Sequence, residues 1–125
     1  MSHFTTIRTE IRDIEALRAA CAEMGLSLAE NAEARGYGNN RTRAEYVVRL
    51  KGPYDIALNK NKEGSYALTA DWWGGHVERE AGKNAGRLLQ LYGIHKATRE
   101  SRRRGYSVQR QALKDGSIKL MIGGV

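Results

Sequence analysis

The stretch YDIALNKNKEGSYALTADWW, residues 54–73, is two strands and the turn between them. Tyr54 to Leu58 reads as a first strand, and the polar run from Asn59 to Gly64 has the length of a hairpin loop. Tyr66, Leu68, Ala70 and Trp72 then resume an alternation of period two. Immediately upstream, Ala44 to Lys51 is rich in residues that suit a pleated surface (Tyr46, Val47, Val48, Leu50), and Gly52 with Pro53 closes it in a turn. Three strands joined by short turns make a β-meander, so the pairing is antiparallel.

Outward from this centre the pattern changes period twice. Toward the N-terminus, Phe4 to Arg12 alternates in character and reads as a strand. Asp13 follows as a helix cap, with Ile14, Leu17, Cys21 and Met24 at helical spacing and Gly25 as the stop. Leu26 and Leu28 open a further strand, which runs into the loop Gly36, Gly38, Asn39, Asn40. Toward the C-terminus, Gly74 and Gly75 break the alternation, and residues such as His76, Glu78, Arg79 and Glu80 read as loop. Asn84 to Arg104 is a long helix with Ala85, Leu88, Leu89 and Tyr92 inward, ended by Gly105. Tyr106 to Leu113 and Ile118 to Ile122 form a last hairpin around Lys114, Asp115, Gly116 and Ser117. The reading predicts one α+β domain over residues 1–125, in the order β-α-β-β-β-β-α-β-β, with two helices on a mainly antiparallel sheet.

With 125 residues, 41% hydrophobic and 28% charged, the chain has the composition of a folded protein that needs no metal or disulfide support. Its one cysteine, Cys21, forms no internal disulfide, and no run of eighteen apolar residues or signal-like start occurs. A cytoplasmic protein without a membrane span is expected. The net charge of +7 is unevenly placed: residues 1–80 hold 11 Lys/Arg and 12 Asp/Glu, for −1, whereas residues 81–125 hold 10 and 2, for +8. A basic end of this kind attracts polyanions or acidic surfaces.

Several blocks carry a family likeness: Met1, Ser2, His3, Phe4; Arg35, Gly36, Tyr37; Tyr54, Asp55, Ile56; Asn59, Lys60, Asn61 with Gly64, Tyr66 and Leu68; Ala70, Asp71, Trp72, Trp73; and Asp115, Gly116, Ser117, Ile118, Lys119, Leu120. In this order they resemble the hypothetical chloroplast reading frame thirty-five family, a domain of algal plastids, cyanobacteria and other bacteria. The resemblance implies a cytoplasmic or stromal accessory protein and brings no reaction, cofactor or substrate with it. The acidic stretch from Glu30 to Glu33 and the Gly-Gly-Val ending depart from that family's pattern.

The residue types that carry catalysis are sparse. His3, His76 and His95 are the only histidines, and none has a carboxylate or thiol at metal-binding spacing, so no metal and no cofactor are expected. His95 falls on the inner side of its helix, where a bond to a backbone carbonyl is expected, and Cys21 reads as a small core hydrophobe. Glu78 and Glu80 read as solvated. An enzyme, which could only draw on Asp71, His76 and His95, is the third reading.

Two binding readings rank above it. The first is a non-enzymatic accessory module that binds another protein through Asn59, Lys60, Asn61, Asp71, Trp72 and Trp73, because adjacent tryptophans on a strand face opposite ways and one is left less covered. The alternative is nucleic-acid binding through Lys96, Arg99, Arg102, Arg103, Arg104, Arg110 and Lys119, with Tyr106 available to stack on a base. Exposed edge strands also allow dimerisation by sheet extension.

Overall fold

The computed structural model describes residues 3–124; Met1 and Ser2 of the family-like opening, and Val125 of the ending that departs from it, lie outside the described residues. The strands are β1 (Thr5–Ile7), β2 (Ser27–Arg35), β3 (Arg41–Arg49), β4 (Ile56–Lys60), β5 (Tyr66–Ala70), β6 (Ser107–Ala112) and β7 (Ile118–Gly123). The helices are α1 (Ile14–Glu23), α2 (His76–Ala81) and α3 (Gly86–Arg103), with single 3-10 turns at Trp73–Gly75 and Lys83–Ala85. The first five strands make one sheet in the order β1-β5-β4-β3-β2, and β6 pairs with β7 alone. Every pairing is antiparallel. The architecture is α+β.

One face of the large sheet is covered by α1 and α3. Asp13 starts α1 by accepting from the amides of Glu15 and Ala16 at 3.0 and 3.1 Å, satisfying two of the donors a helix start leaves free. Leu17 and Cys21 of α1 and Leu88, Leu91 and Tyr92 of α3 then meet Val48, Ile56, Leu58 and Leu68 of the sheet. The Tyr92 hydroxyl accepts from the amides of Arg12 and Asp13 at 2.9 and 3.1 Å, which fixes the entry of α1 on α3.

The β2–β3 hairpin covers the other face itself. Asn31 takes a left-handed φ of 47° and drops out of the register between Glu30↔Tyr46 and Ala32↔Ala44. Beyond that point the hairpin folds back, so that Asp55 N donates to Arg35 O at 3.0 Å and Tyr37 N reaches Asp71 Oδ2 at 3.0 Å. Ala34, Ala44, Val47 and Ala57 are buried beneath it, with Ala29 and Ala32 alongside. Small side chains here let the folded-over hairpin lie close to the sheet.

The elements depart from the sequence reading at several places, β4 for one running over Ile56–Lys60 and so taking in Asn59 and Lys60. Strand pairing at the N-terminus ends at Ile7, not Arg12, because the Thr9 hydroxyl donates to Tyr66 O and accepts from Ile11 N, replacing ladder bonds. Residues 76–81 form a short helix, not a loop, framed by Gly75 and Gly82 at φ of 72° and 87°, in addition to the two long helices packed on the sheet. The long helix begins at Gly86, since Asn84 and Ala85 are left-handed at 53° and 61°. Strand β5 stops at Ala70, which leaves Trp72 outside the sheet.

The β6–β7 hairpin stands apart from the large sheet and is tied to it by the packing of Ile118 and Leu120 and by an ion pair from Arg110 to Glu23 of α1 at 2.8 Å. Among the described residues, no helix is long and apolar enough to cross a membrane.

Candidate functional site

Asp71 is fully buried at the end of β5 and holds two loops at once. Its Oδ2 accepts from Tyr37 N at 3.0 Å and its Oδ1 from Trp73 N at 3.1 Å. One carboxylate thus pins the tip of the β2–β3 hairpin to the turn that follows β5, and the two aromatic rings meet edge to face at 5.1 Å and 74°. Trp73 is 50% exposed and Tyr37 46%. Behind them the His76 ring lies 6.4 Å from Trp73 and packs at 5.0 Å on the buried Tyr54. Burial pushes the Tyr54 phenol up, and the negative charge of Asp71 adds to it.

Two glycines and an arginine shape the rim. A Cβ on Gly36 would stand 2.7 Å from Phe4 Cζ and 3.3 Å from Asp71 Oδ2, so a side chain there would have to displace the Phe4 ring for the hairpin tip to lie on Asp71. Arg79 Nη2 donates to Gly74 O at 2.8 Å, closing the left-handed turn that carries Trp73.

The fold-back is clasped by a second buried carboxylate. Asp55 accepts from the amides of Arg35 and Leu50, from the Arg35 guanidinium through Nε and Nη2 at 2.8 Å each, and from Arg49 Nη1 at 3.1 Å. Burial alone would raise its pKa, but the Arg35 bonds and charge, with the Leu50 amide, win and hold the carboxyl below its ordinary value. Arg35 also donates to the carbonyls of Leu50 and Gly52. Glu80 of α2 accepts from the amides of Lys51 and Gly52 at 2.7 and 2.8 Å, so it caps the β3–β4 turn and is not simply solvated.

The residues grouped from sequence as one protein-binding surface fall into two places. Asp71, Trp72 and Trp73 belong to the aromatic platform, where Trp73 faces outward and Trp72 packs against the core. Asn59, Lys60 and Asn61 lie at the opposite end of the β4–β5 hairpin, in register with Ala67 and Tyr66, roughly 15 Å away along β5. Asn59 Oδ1 accepts from Glu45 N, and Asn61 Oδ1 accepts from the amides of Glu63 and Ser65. Those amides brace their own strands and turn. Lys60 Nζ sits 5.9 Å over the Tyr66 ring.

The basic set divides as well. Lys96 pairs with Glu100 at 2.8 Å, Arg99 approaches Asp13 at 3.9 Å, and Arg110 binds Glu23. Arg102, Arg103, Arg104 and Lys119 are exposed, with no carboxylate of the described residues within 4 Å. His95 bonds not a carbonyl but Glu23 Oε1, at 2.7 Å. That contact is on α1, whereas Asp71 and His76 flank Trp73, so the three groups of the enzyme reading are not brought into one contact set. Burial pushes the Cys21 thiol up to about 11 against the pull of Arg18, which fits a core hydrophobe. No group of three or more His, Cys, Asp or Glu among the described residues is arranged to hold a metal ion.

Tyr37, Arg35, Asp55 and Glu80 emerge only in three dimensions. Two of the blocks that carry the family likeness, Arg35-Gly36-Tyr37 and Tyr54-Asp55-Ile56, meet here, and a third, Ala70 to Trp73, supplies Asp71 and Trp73.

Residues 20–121 match the family model described as protein of unknown function DUF1257. The chain belongs to the DUF1257 family. A DUF1257 relative, "Uncharacterized protein ycf35" of Pyropia yezoensis, is 30% identical over 130 residues, covering 98% of this chain and 96% of its own length. The likeness read from the sequence blocks is therefore correct. No solved structure matches the chain.

Proposed function

We propose that this DUF1257 chain is a non-enzymatic accessory module of the cytoplasm or stroma that binds another protein through the Tyr37–Trp73 platform. The observation that carries the reading is a pair of large rings, each about half exposed, whose backbones are both fixed by the buried Asp71. Rings held in place before contact lose little rotamer freedom on binding, which is why such aromatics dominate interface energies. The Asn59–Asn61 turn is not part of this surface. The test is a photo-crosslinking amino acid, p-benzoylphenylalanine, placed at position 37, 73 or 59 and irradiated in the native host. Discrete adducts from 37 and 73 but not 59, lost from position 37 when Trp73→Ala is added, are expected. No adduct from either ring position, or equal adducts from 59, refutes the reading.

A second reading, nucleic-acid binding, is favoured by the exposure of Arg102, Arg103 and Arg104 close in sequence to the exposed Tyr106. Commitment of Lys96, Arg99 and Arg110 to carboxylates of the same chain shrinks that surface. Retention on RNA or DNA at low salt that disappears on reversal of the three arginines to Glu would support it over the first.

A further inference from the structure

A sizeable groove lies away from the aromatic platform. It measures about 710 Å³ and has two walls: residues 8–12 on one side and Leu89, Tyr92, Gly93 and Lys96 of α3 on the other. Five consecutive residues line the first wall, so the groove borders the backbone of that segment and not merely one face of its side chains. Here the regular ladder of the edge strand β1 ends at Ile7, and the segment stays tied to the start of β5 because the Thr9 hydroxyl donates to Tyr66 O and Ile11 O accepts from Tyr66 N at 2.8 Å. Among the described residues no strand pairs with the outer edge of β1.

The second wall is a single helical stripe, at spacings of three, one and three residues. At its centre stands Gly93, exposed, with no atom within 4 Å of where a Cβ would sit. A mid-helix glycine costs about 1 kcal/mol relative to alanine, and here no close packing within the chain requires it. Its effect is to deepen the groove between the Leu89 and Tyr92 side chains and the Ile11 segment. The charges around this apolar floor are Arg8, Arg12 and Lys96 against Glu10, a cationic excess. Arg12 gives one donor to Glu63 O and Lys96 meets Glu100, while Arg8 is exposed.

We propose that this groove receives an extended acidic segment of a partner protein, which lays one apolar side chain on Leu89, Tyr92 and Gly93 and turns its carboxylates to Arg8 and Arg12. An extended segment can lie along the groove between residues 8–12 and α3, and charge complementarity selects acidic flanks. The inference is independent of the Tyr37–Trp73 reading, which involves the other end of β5.

The test uses the full chain labelled with ¹⁵N and a synthetic peptide with a central Phe flanked on each side by three Glu. A control peptide carries Lys in place of Glu, and decanoate serves as a single-carboxylate amphiphile. Saturable amide shifts confined to residues 8–12 and the 89–96 stretch are expected with the acidic peptide and not with the basic one. Gly93→Leu, which fills the groove without opposing the helix, and Arg8→Glu should each weaken the acidic peptide by about tenfold or more. Thermal melts of both variants at or above wild type show that the loss is not one of folding. The proposal is overturned if shifts map instead to Arg102–Arg104, if Gly93→Leu binds as well as wild type, if decanoate alone binds the groove, or if no peptide produces shifts there.

Discussion

Replacing Asp55 by alanine isolates the clasp on which the folded-over hairpin depends. The substitution strands two backbone donors, Arg35 N and Leu50 N, which sit 3.0 and 3.2 Å from the carboxylate, and an unsatisfied buried amide costs about 1–3 kcal/mol. The guanidinium groups of Arg35 and Arg49 add less, because each side chain is 37% exposed and can turn to water. The sum is about 3 kcal/mol, at the low end of what losing one partner of a buried ion pair costs. For a chain of this length that is roughly a 10 °C fall in Tm. Thermal and urea unfolding followed by circular dichroism measure it. The pH profile gives a second check. The folded carboxyl titrates below its unfolded value of about 3.9, so its stabilisation is full above that value and is lost as pH falls through the folded pKa. Wild type and Asp55→Ala should therefore differ most near neutrality and converge in acid. A loss of less than about 1 kcal/mol at pH 7, or a gap that widens on acidification, would show that Asp55 is not the clasp.

Three further outcomes follow from the same contacts. Trp73→Ala should change thermal stability by no more than about 1 kcal/mol, since the ring is half exposed and its main partner is the equally exposed Tyr37; a larger loss would make it a core residue. Gly36→Ala should cost about 1–3 kcal/mol, because the new methyl meets Phe4 and Asp71, and a neutral result in urea unfolding would contradict the close approach of the hairpin tip. Glu23, held below the ordinary carboxylate range chiefly by its bond from Arg110, then by His95 against some burial, ties the C-terminal hairpin to α1 only while ionised. Glu23→Gln should speed hydrogen exchange across residues 107–123 at pH 7 and abolish the acid-induced speeding seen in wild type, and unchanged exchange would refute that role.

Local periodicity was enough for the elements that bury one regular face. The alternation of Tyr66, Leu68 and Ala70 and the spacing of Leu17 and Cys21 gave strands and helix within a residue or two, and Asp13 and Gly25 marked the ends of α1. What stayed hidden came from bonds between distant residues. The Thr9 hydroxyl unpairs a strand whose alternation still looks regular, and Asn31 gives no sign in sequence that the hairpin bends there. Asp55 and Asp71 look alike along the chain and each simply precedes or follows a strand. Their roles exist only because Arg35 and Tyr37 come back over the sheet. The two tryptophans were rightly expected to differ in exposure, though the cause is the 3-10 turn after β5 and not strand pleating.

The disposition of charge sharpens the binding reading. Asp13, Asp55, Asp71 and Glu80 each accept two backbone amides, and Glu23 is shared between His95 and Arg110, so much of the acidic complement is turned inward or bound to the chain itself. The arginines at the end of α3 point to solvent. An approaching molecule therefore meets a net-positive surface whose exposed arginines cluster at the end of α3, while the Trp73 ring proposed to hold a partner is neutral. Charge accelerates encounter and a packed aromatic slows departure, so the two contributions separate kinetically. With a partner captured at the Tyr37–Trp73 platform, raising salt or reversing Arg102, Arg103 and Arg104 to Glu should lower the association rate by about tenfold and leave dissociation nearly unchanged. Trp73→Ala should do the opposite. Surface plasmon resonance at two ionic strengths reads both, and a Trp73→Ala complex that dissociates as slowly as wild type would mean that the ring, however exposed, does not hold the partner.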